Sequence, residues 1–283
     1  MEQLKIKGHS GCSLNIIEGP SRLLVEKCCD TSYLPRLKQQ QKKQSDMYNL
    51  MSHGGVGGIK VPHSVWENDK IVMDYIYSKD FVEYFECATV EDIKHLVCRL
   101  INYIDMECTY CEKKVVDKDV FIKKLDSVYA ACIKNDMVDN DKAKNYVDAA
   151  KEMVSSFNVI ELPIGTCHGD LTFSNVLFSD SIYLIDFLDS FVETPLQDIV
   201  KLRQDTRYHW SLLMTSHNYN AAHINTVFEY IDKALEKRYK NAYFYKYYDM
   251  LQCINILRIL PYVKEYNVYD RVCIILDELT KKG

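Results

Sequence analysis

No stretch of this chain of 283 residues reaches the about 18 consecutive apolar residues that a membrane-spanning helix needs, because Lys, Asp, Glu or Asn interrupts every apolar segment sooner. A membrane span is excluded on that ground. Nor does an apolar segment follow a basic start at Met1-Glu2-Gln3-Leu4-Lys5, so no secretion signal is expected and a cytoplasmic location is. Long basic blocks are missing too, and 35 Lys+Arg against 40 Asp+Glu leave a net charge of −5, which is not the footprint of a nucleic-acid binder. The pair Cys108-Thr109-Tyr110-Cys111 lacks the second pair of ligands that a zinc site requires. The 11 cysteines are odd in number and sit in apolar surroundings, as at Cys98 and Cys273, and reduced core thiols are expected.

What is present is a globular mixture, 47% hydrophobic and 27% charged. The length exceeds what one core of about 100–200 residues serves, which points to two lobes or one large α/β domain. Alternating patterns at Leu4–Lys7, Ser13–Glu18 and Arg22–Cys29, with a Gly19-Pro20 turn, predict three antiparallel strands. From about Leu34 to Met51 the chain carries Gln, Lys and Leu with no Gly, and with no Pro beyond Pro35 at its start, and Gly54-Gly55 and Gly57-Gly58 stop the run, so one helix is predicted. Two further strands are predicted at Lys60–Trp66 and Lys70–Tyr77, with Glu67-Asn68-Asp69 between them. Beyond Thr89 the apolar period becomes helical, with Val90, Ile93, Leu96, Val97, Leu100, Ile101 and Ile104 on one face. More helices are expected near 119–134, 141–157, 196–216, 221–238, 242–258 and 268–281, interrupted by a hairpin around Ser179-Asp180-Ser181. The fold class expected is therefore α+β: a small sheet lobe with one helix over residues 1–78, and a larger, mostly helical lobe over 79–283.

The chemistry-bearing residues cluster between Cys167 and Phe187. His168-Gly169-Asp170 is followed by Asn175 and then, across the predicted hairpin, by Ile185-Asp186-Phe187. This is the order of the catalytic loop and metal-binding segment of phosphoryl-transfer enzymes. An Asp must meet the acceptor hydroxyl in line with the γ-phosphate, while an Asn about one turn later and an Asp after the hairpin hold Mg²⁺ against the phosphate oxygens.

On these residues the chain resembles the aminoglycoside phosphotransferase and choline kinase superfamily, whose catalytic loop carries Gly between the His and the Asp. The resemblance implies a two-lobed protein-kinase-like fold, with Asp170 as catalytic base, His168 packing and orienting the catalytic loop, and Asn175 and Asp186 as magnesium ligands. It further implies that the strand Val72-Met73-Asp74-Tyr75-Ile76 passes the adenine, and that Asp198, in Thr194-Pro195-Leu196-Gln197-Asp198, braces the loop. Segments 201–210 and 257–262 look like the subset of the superfamily found among bacterial surface-polysaccharide genes.

In the N-terminal part, Gly8 to Ser13 lies where a phosphate-covering loop belongs, which makes Gly11 and Ser13 nucleotide-binding candidates, although a plain hairpin turn explains the same residues. Lys27, at the end of the third strand, is the candidate for the α/β-phosphates. A kinase normally pairs that Lys with a Glu of the next helix, but no Glu occurs between Glu26 and Glu67, so Asp46 or one of Gln39, Gln40, Gln41 and Gln44 must take its place. Acceptor candidates are Asp189, Glu193, Arg207, Tyr208 and Trp210: the acids and aromatics suit a cation, whereas Arg203, Arg207 and Arg258 suit an anionic group. The expected activity is an ATP- and Mg²⁺-dependent phosphotransfer to a hydroxyl of a small molecule, a sugar or amino alcohol for surface glycan synthesis. A choline, ethanolamine or aminoglycoside kinase and a nucleotide-binding pseudokinase are the alternatives.

Overall fold

The computed structural model describes residues 5–7, 12–215 and 217–281. The chain divides into two compact units, the first made of Met1–Met106, His168–Asp189 and His217–Ile224, the second of Glu107–Cys167, Ser190–Ser216 and Asn225–Gly283.

In the first unit, β1 (Lys5–Lys7), β2 (Ser13–Glu18) and β3 (Leu23–Cys28) form the three predicted antiparallel strands. They lead to α1 (Leu34–Gly54), which starts with Pro35 in its first turn, where a missing N–H costs nothing, and ends where the Gly55 N–H bonds to the Met51 carbonyl. The segment read as one strand at 60–66 is two. Ile59–Lys60 (β4) leaves for another sheet, Ser64–Glu67 (β5) stays, and Pro62, which has no N–H to give a ladder, lies in the break. A turn with Asn68 at φ 48° and Asp69 at φ 59° then reverses the chain into β6 (Lys70–Asp74), the left-handed pair of angles that a two-residue hairpin demands. The five-stranded sheet runs β1-β2-β3-β6-β5, and α1 packs on β5 and β6. Cys12, Leu37 and Ile71 make the buried centre of that packing, with Tyr33 and Trp66 against it.

A capping box of Asp80 and Glu83 starts the short α2 (Phe81–Cys87), too short for its period to be read in advance, and α3 (Val90–Thr109) follows with Ile93, Leu96, Val97, Leu100 and Ile104 of its predicted face buried, Ile101 half-buried, and Val90 exposed where the helix begins. The predicted hairpin around Ser179-Asp180-Ser181 is present, and Phe85 packs on its Phe178 and on Phe173, against which Phe81 stacks.

The second unit opens with β7 (Glu112–Val116), α4 (Lys118–Cys132), α5 (Asn140–Ser156) and β8 (Ile160–Ile164). β7 and β8 pair antiparallel across the two intervening helices, a non-local pairing with no sequence signal, since β7 begins with three charges and β8 contains Pro163. In chain order the first unit then contributes β9 (Val176–Phe178) and β10 (Ile182–Leu184), with β10 also parallel to β4. The helix expected over 196–216 is divided: α6 (Pro195–Tyr208) stops at His209, whose φ of 59° turns the chain left-handed, and α7 (Trp210–Leu213) restarts. After α8 (Ala221–Tyr239) comes α9 (Tyr248–Leu257), later than its predicted start because Tyr245–Tyr247 is a 3₁₀ turn, and then α10 (Tyr266–Thr280). Every residue from Met250 to Leu257 is buried, as expected of a helix surrounded by others, here α5, α6 and α10. Among the described residues no helix is long and apolar enough to cross a membrane, and all 11 cysteines are free thiols.

Candidate active site

Gly169 has φ 89°, a conformation that L side chains adopt only under strain, and this is the local reason for a glycine between His168 and Asp170. His168 is fully buried. Its Nε2 lies 2.9 Å from the Ile185 carbonyl, so it carries the proton, and Nδ1 accepts from the Asp170 N–H at 3.3 Å. Burial lowers its pKa to about 4, which keeps the ring neutral in that tautomer. Phe187 packs against the ring with centroids 4.2 Å apart. His168 is thus a positioning residue that ties the loop to the strand end carrying Asp186 and does not face solvent.

The 3₁₀ turn Phe173–Asn175 brings Asn175 back over Asp170, and its Nδ2 donates to the Asp170 carbonyl at 2.8 Å and to Oδ2 at 3.2 Å. That leaves the amide oxygen of Asn175 outside these two bonds. Asp186 follows β10 with φ 61°, a strained angle for a residue with a side chain and one that recurs at functional sites. Leu188 N–H bonds back to the His168 carbonyl at 3.0 Å, closing the segment onto the loop.

Lys27 brings in the sheet. The side chain is only 4% exposed, and its Nζ is 2.6 Å from Asp186 Oδ1 and 3.3 Å from Gln40 Oε1. Gln40 of α1 therefore stands where a kinase has its Glu, while Asp46, the acidic alternative, pairs with Lys42 on the exposed face. One turn along α1 the Lys43 Nζ donates to the Leu188 carbonyl at 2.6 Å, and Arg36 lies 3.6 Å from Asp189. Residues 36, 40 and 43 share one helix face, and all three meet β3 or the segment after Asp186. Lys43 and Arg36 carried no motif, and only the helical spacing from Gln40 could have singled them out.

Ser13 lies exposed at the start of β2, opposite Cys28, while Gly11 and the rest of the proposed covering loop lie outside the described residues. Of the adenine segment, the Asp74 N–H bonds the His63 carbonyl at 3.3 Å and the Tyr75 N–H bonds Leu23 at 3.1 Å, so among the described residues the Ile76 N–H is the one left over from that trio. Two clefts border this segment. One of about 480 Å³ has Glu18, Arg22, Leu23, Tyr75 and Tyr77 on its walls, and one of about 600 Å³ has Tyr48, Met51, Pro62, Asp74, Ile76 and Tyr183. Neither is lined by Lys27 or the catalytic loop.

The other acceptor candidates belong to the second unit. Glu193 accepts from the Ser190 N–H at 2.7 Å and from the Cys167 thiol at 3.0 Å, which fixes its own loop. Arg207 pairs with Glu278 at 2.9 Å and lies over the Tyr208 ring, and Tyr208 itself is buried. Trp210 is half-buried at the start of α7, and Asp198 is fully buried in the first turn of α6. The expectation that Arg203 meets an anionic acceptor is corrected: it is 1% exposed, held by Asp232 at 2.8 and 2.9 Å and stacked 4.7 Å over Tyr248. Cys111, of the pair with CxxC spacing, is half-buried. Its thiol bonds the Thr166 carbonyl at 3.6 Å, and burial pushes its pKa up to about 12.

This combination of an antiparallel sheet with one helix, a catalytic-type loop and a helical second unit is a kinase-like fold. The model of the phosphotransferase enzyme family matches residues 129–230, which hold the catalytic loop, the Asp186 segment and α6 but not the sheet. Structural comparison gives the same fold. The aminoglycoside phosphotransferase APH(2'')-Ib bound to ADP is similar at 14% identity and a TM-score of 0.58, over 100% of this chain and 93% of the other. A thermostable mutant of APH(4)-Ia, in ternary complex with AMP-PNP and hygromycin B, is similar at 10% identity and a TM-score of 0.62, over 100% and 94%. The choline kinase LicA from Streptococcus pneumoniae is similar at 12% identity and a TM-score of 0.55, over 100% and 94%. No curated protein matches the chain by sequence.

Proposed function

We propose that the chain is an ATP- and Mg²⁺-dependent kinase that transfers the γ-phosphoryl group to a hydroxyl of a small molecule. The observation that carries this reading is Lys27, buried, 2.6 Å from Asp186, beside the loop that holds Asp170 and Asn175. Asp170 orients the acceptor hydroxyl and takes its proton as the new O–P bond forms and the bond from the γ-phosphorus to the ADP oxygen breaks. Asn175 restrains the Asp170 carboxylate so that a lone pair stays aimed at the acceptor. Lys27 serves the α- and β-phosphates.

The residues fit a magnesium ion. Asp186 and the amide oxygen of Asn175 are hard oxygen donors, and no cluster of three or more His, Cys, Asp or Glu ligands exists among the described residues. Mg²⁺ is commonly held this way, by one or two protein oxygens together with the phosphates of its nucleotide. When bound it supplies neutralisation of the charge on the phosphate oxygens.

A pseudokinase is the weaker reading, because the Lys27–Asp186 pair preserves the two charges that phosphotransfer needs. For the acceptor, a neutral sugar is favoured over an amino alcohol. Of the first two acids after the metal segment, Asp189 has Arg36 at 3.6 Å although its Oδ1 accepts no hydrogen bond, and Glu193 accepts from the Ser190 N–H and the Cys167 thiol, so both charges are offset in part before any cation arrives. Destination in a surface glycan rests only on the likeness of 201–210 and 257–262, segments whose Arg203, Asp205 and Leu257 are buried.

The test is ADP release with Mg²⁺ and ATP over a panel of sugars, polyols, amino alcohols and aminoglycosides, with Asp170→Asn in parallel. Acceptor-dependent turnover that the substitution lowers by about 10²–10⁴-fold supports the kinase. Tight nucleotide binding with no turnover on any acceptor would move the assignment to the pseudokinase.

A further inference from the structure

The charge on Lys27 is balanced in an unusual way. An ammonium buried to this degree needs an anion. Yet α1 offers it only the neutral Gln40 Oε1 at 3.3 Å, and Asp186 Oδ1 at 2.6 Å is the carboxylate in contact. The orientation of Gln40 is itself fixed, because its Nε2 donates to the Tyr33 hydroxyl at 3.1 Å, so the amide oxygen is the end turned to Lys27. Both Gln40 and Lys27 are buried, so water does not substitute for either partner.

We propose that Gln40, neutral where a carboxylate would compete for the ammonium, leaves Lys27 paired with Asp186 until nucleotide arrives, so that Mg²⁺ and nucleotide bind with strong positive coupling. Resting on the kinase reading above, the argument is one of competing charges. A divalent cation approaching Asp186 alone meets an ammonium 2.6 Å from the carboxylate oxygen. Phosphates give Lys27 a second anion, and its move toward them uncovers Asp186. A carboxylate at position 40 would hold Lys27 from the α1 side and leave Asp186 open to metal in the absence of nucleotide. The substitution that made the usual ion pair unreadable in the sequence thereby changes the order in which the site assembles.

Calorimetry tests this with ADP and MgCl₂ as probes. In the wild-type protein the Kd for ADP should fall by at least about 10-fold between Mg²⁺-free and Mg²⁺-saturated buffer, and MgCl₂ alone should leave the melting temperature unchanged. Gln40→Glu should reduce that ratio by about 5-fold or more and should acquire a melting shift with MgCl₂ alone. Gln40→Leu, close in size and without a polar end, should keep the ratio at or above the wild-type value. An unaltered ratio in Gln40→Glu, or an equal fall in both variants, would overturn the proposal, the latter by showing that position 40 matters only for packing. Wild-type protein that binds ADP in neither buffer would overturn the nucleotide-binding reading itself, and the two failures are distinguishable.

Discussion

Asn175 turns its side-chain amide back onto Asp170, donating to that residue's carbonyl at 2.8 Å and to its carboxylate at 3.2 Å. The two bonds make the catalytic-type Asp and the candidate metal residue a single unit, in which the orientation of one sets the other. Asn175→Ala removes both bonds and an oxygen donor together. Folding stability should fall by about 1–2 kcal/mol, as for the loss of part-buried hydrogen bonds, and turnover should drop on the order of 10²-fold. The Mg²⁺ concentration giving half-maximal rate should rise. Chemical denaturation and an Mg²⁺ titration of ADP release measure these effects, and a variant with unchanged Mg²⁺ dependence would remove Asn175 from the metal site.

Gly169 makes a backbone prediction. At φ 89° a side chain is strained, so Gly169→Ala should cost about 1–3 kcal/mol of stability. The strain falls on the peptide that joins His168 to Asp170. Turnover should therefore decline further than the same loss of stability introduced at an exposed position. Urea denaturation alongside initial rates separates the two effects, and an Ala variant as stable as wild type would contradict the strained angle.

His168 ties stability to pH. Its folded pKa, lowered to about 4 by burial, lies below the ordinary His value of 6.5, so between these limits the unfolded chain binds the extra proton. The contribution is complete above pH ~6.5 and is lost as pH falls toward 4, by as much as roughly 3 kcal/mol. In His168→Gln, whose amide nitrogen reaches about as far as the imidazole Nε2 and can still donate to the Ile185 carbonyl, that part of the pH slope should vanish. Urea midpoints at several pH values between 4 and 7 decide it, and an equal slope in both proteins would mean that His168 titrates normally.

Much of this was legible because the signals are local. The start of α1 at Leu34, the stop near Gly54, the hairpin around Ser179-Asp180-Ser181 and the spacing from His168 to Asp186 each depend on a few adjacent residues. Pairings that join distant segments were not legible: β4 lies parallel to β10, and β7 pairs with β8 across two helices. The left-handed turn at His209 was missed for another reason, since nothing in Tyr208-His209-Trp210 breaks a helix by composition. Residue types named the chemistry of the site, but partners decided the roles. Gln40 was one of five substitutes offered for the missing Glu. Glu193 and Arg207, read as ligands of the acceptor, have Ser190, Cys167 and Glu278 as partners within their own unit.

Arg36 and Asp189 carry the prediction about the acceptor. Their nearest atoms are 3.6 Å apart and both side chains are part exposed, so the pair is weak in itself and sensitive to salt. Its consequence lies in the sign of the charge it leaves near the metal segment. With Arg36 in place the Asp189 charge is offset at a distance, although its Oδ1 accepts no hydrogen bond. Arg36→Ala uncovers that carboxylate and should raise kcat/KM for an amino sugar over its neutral counterpart several-fold. The gain should shrink as NaCl increases toward ~0.5 M, where exposed charges are screened within about 5 Å. Asp189→Asn, introduced with Arg36→Ala, should return the preference to the wild-type ratio, because no carboxylate is then left to uncover. Steady-state rates for matched amino and neutral sugars in the wild type and the two variants give the answer. A preference indifferent to Arg36 would place Asp189 outside the acceptor's reach and return the choice between sugar and amino alcohol to the residues of α6 and α7.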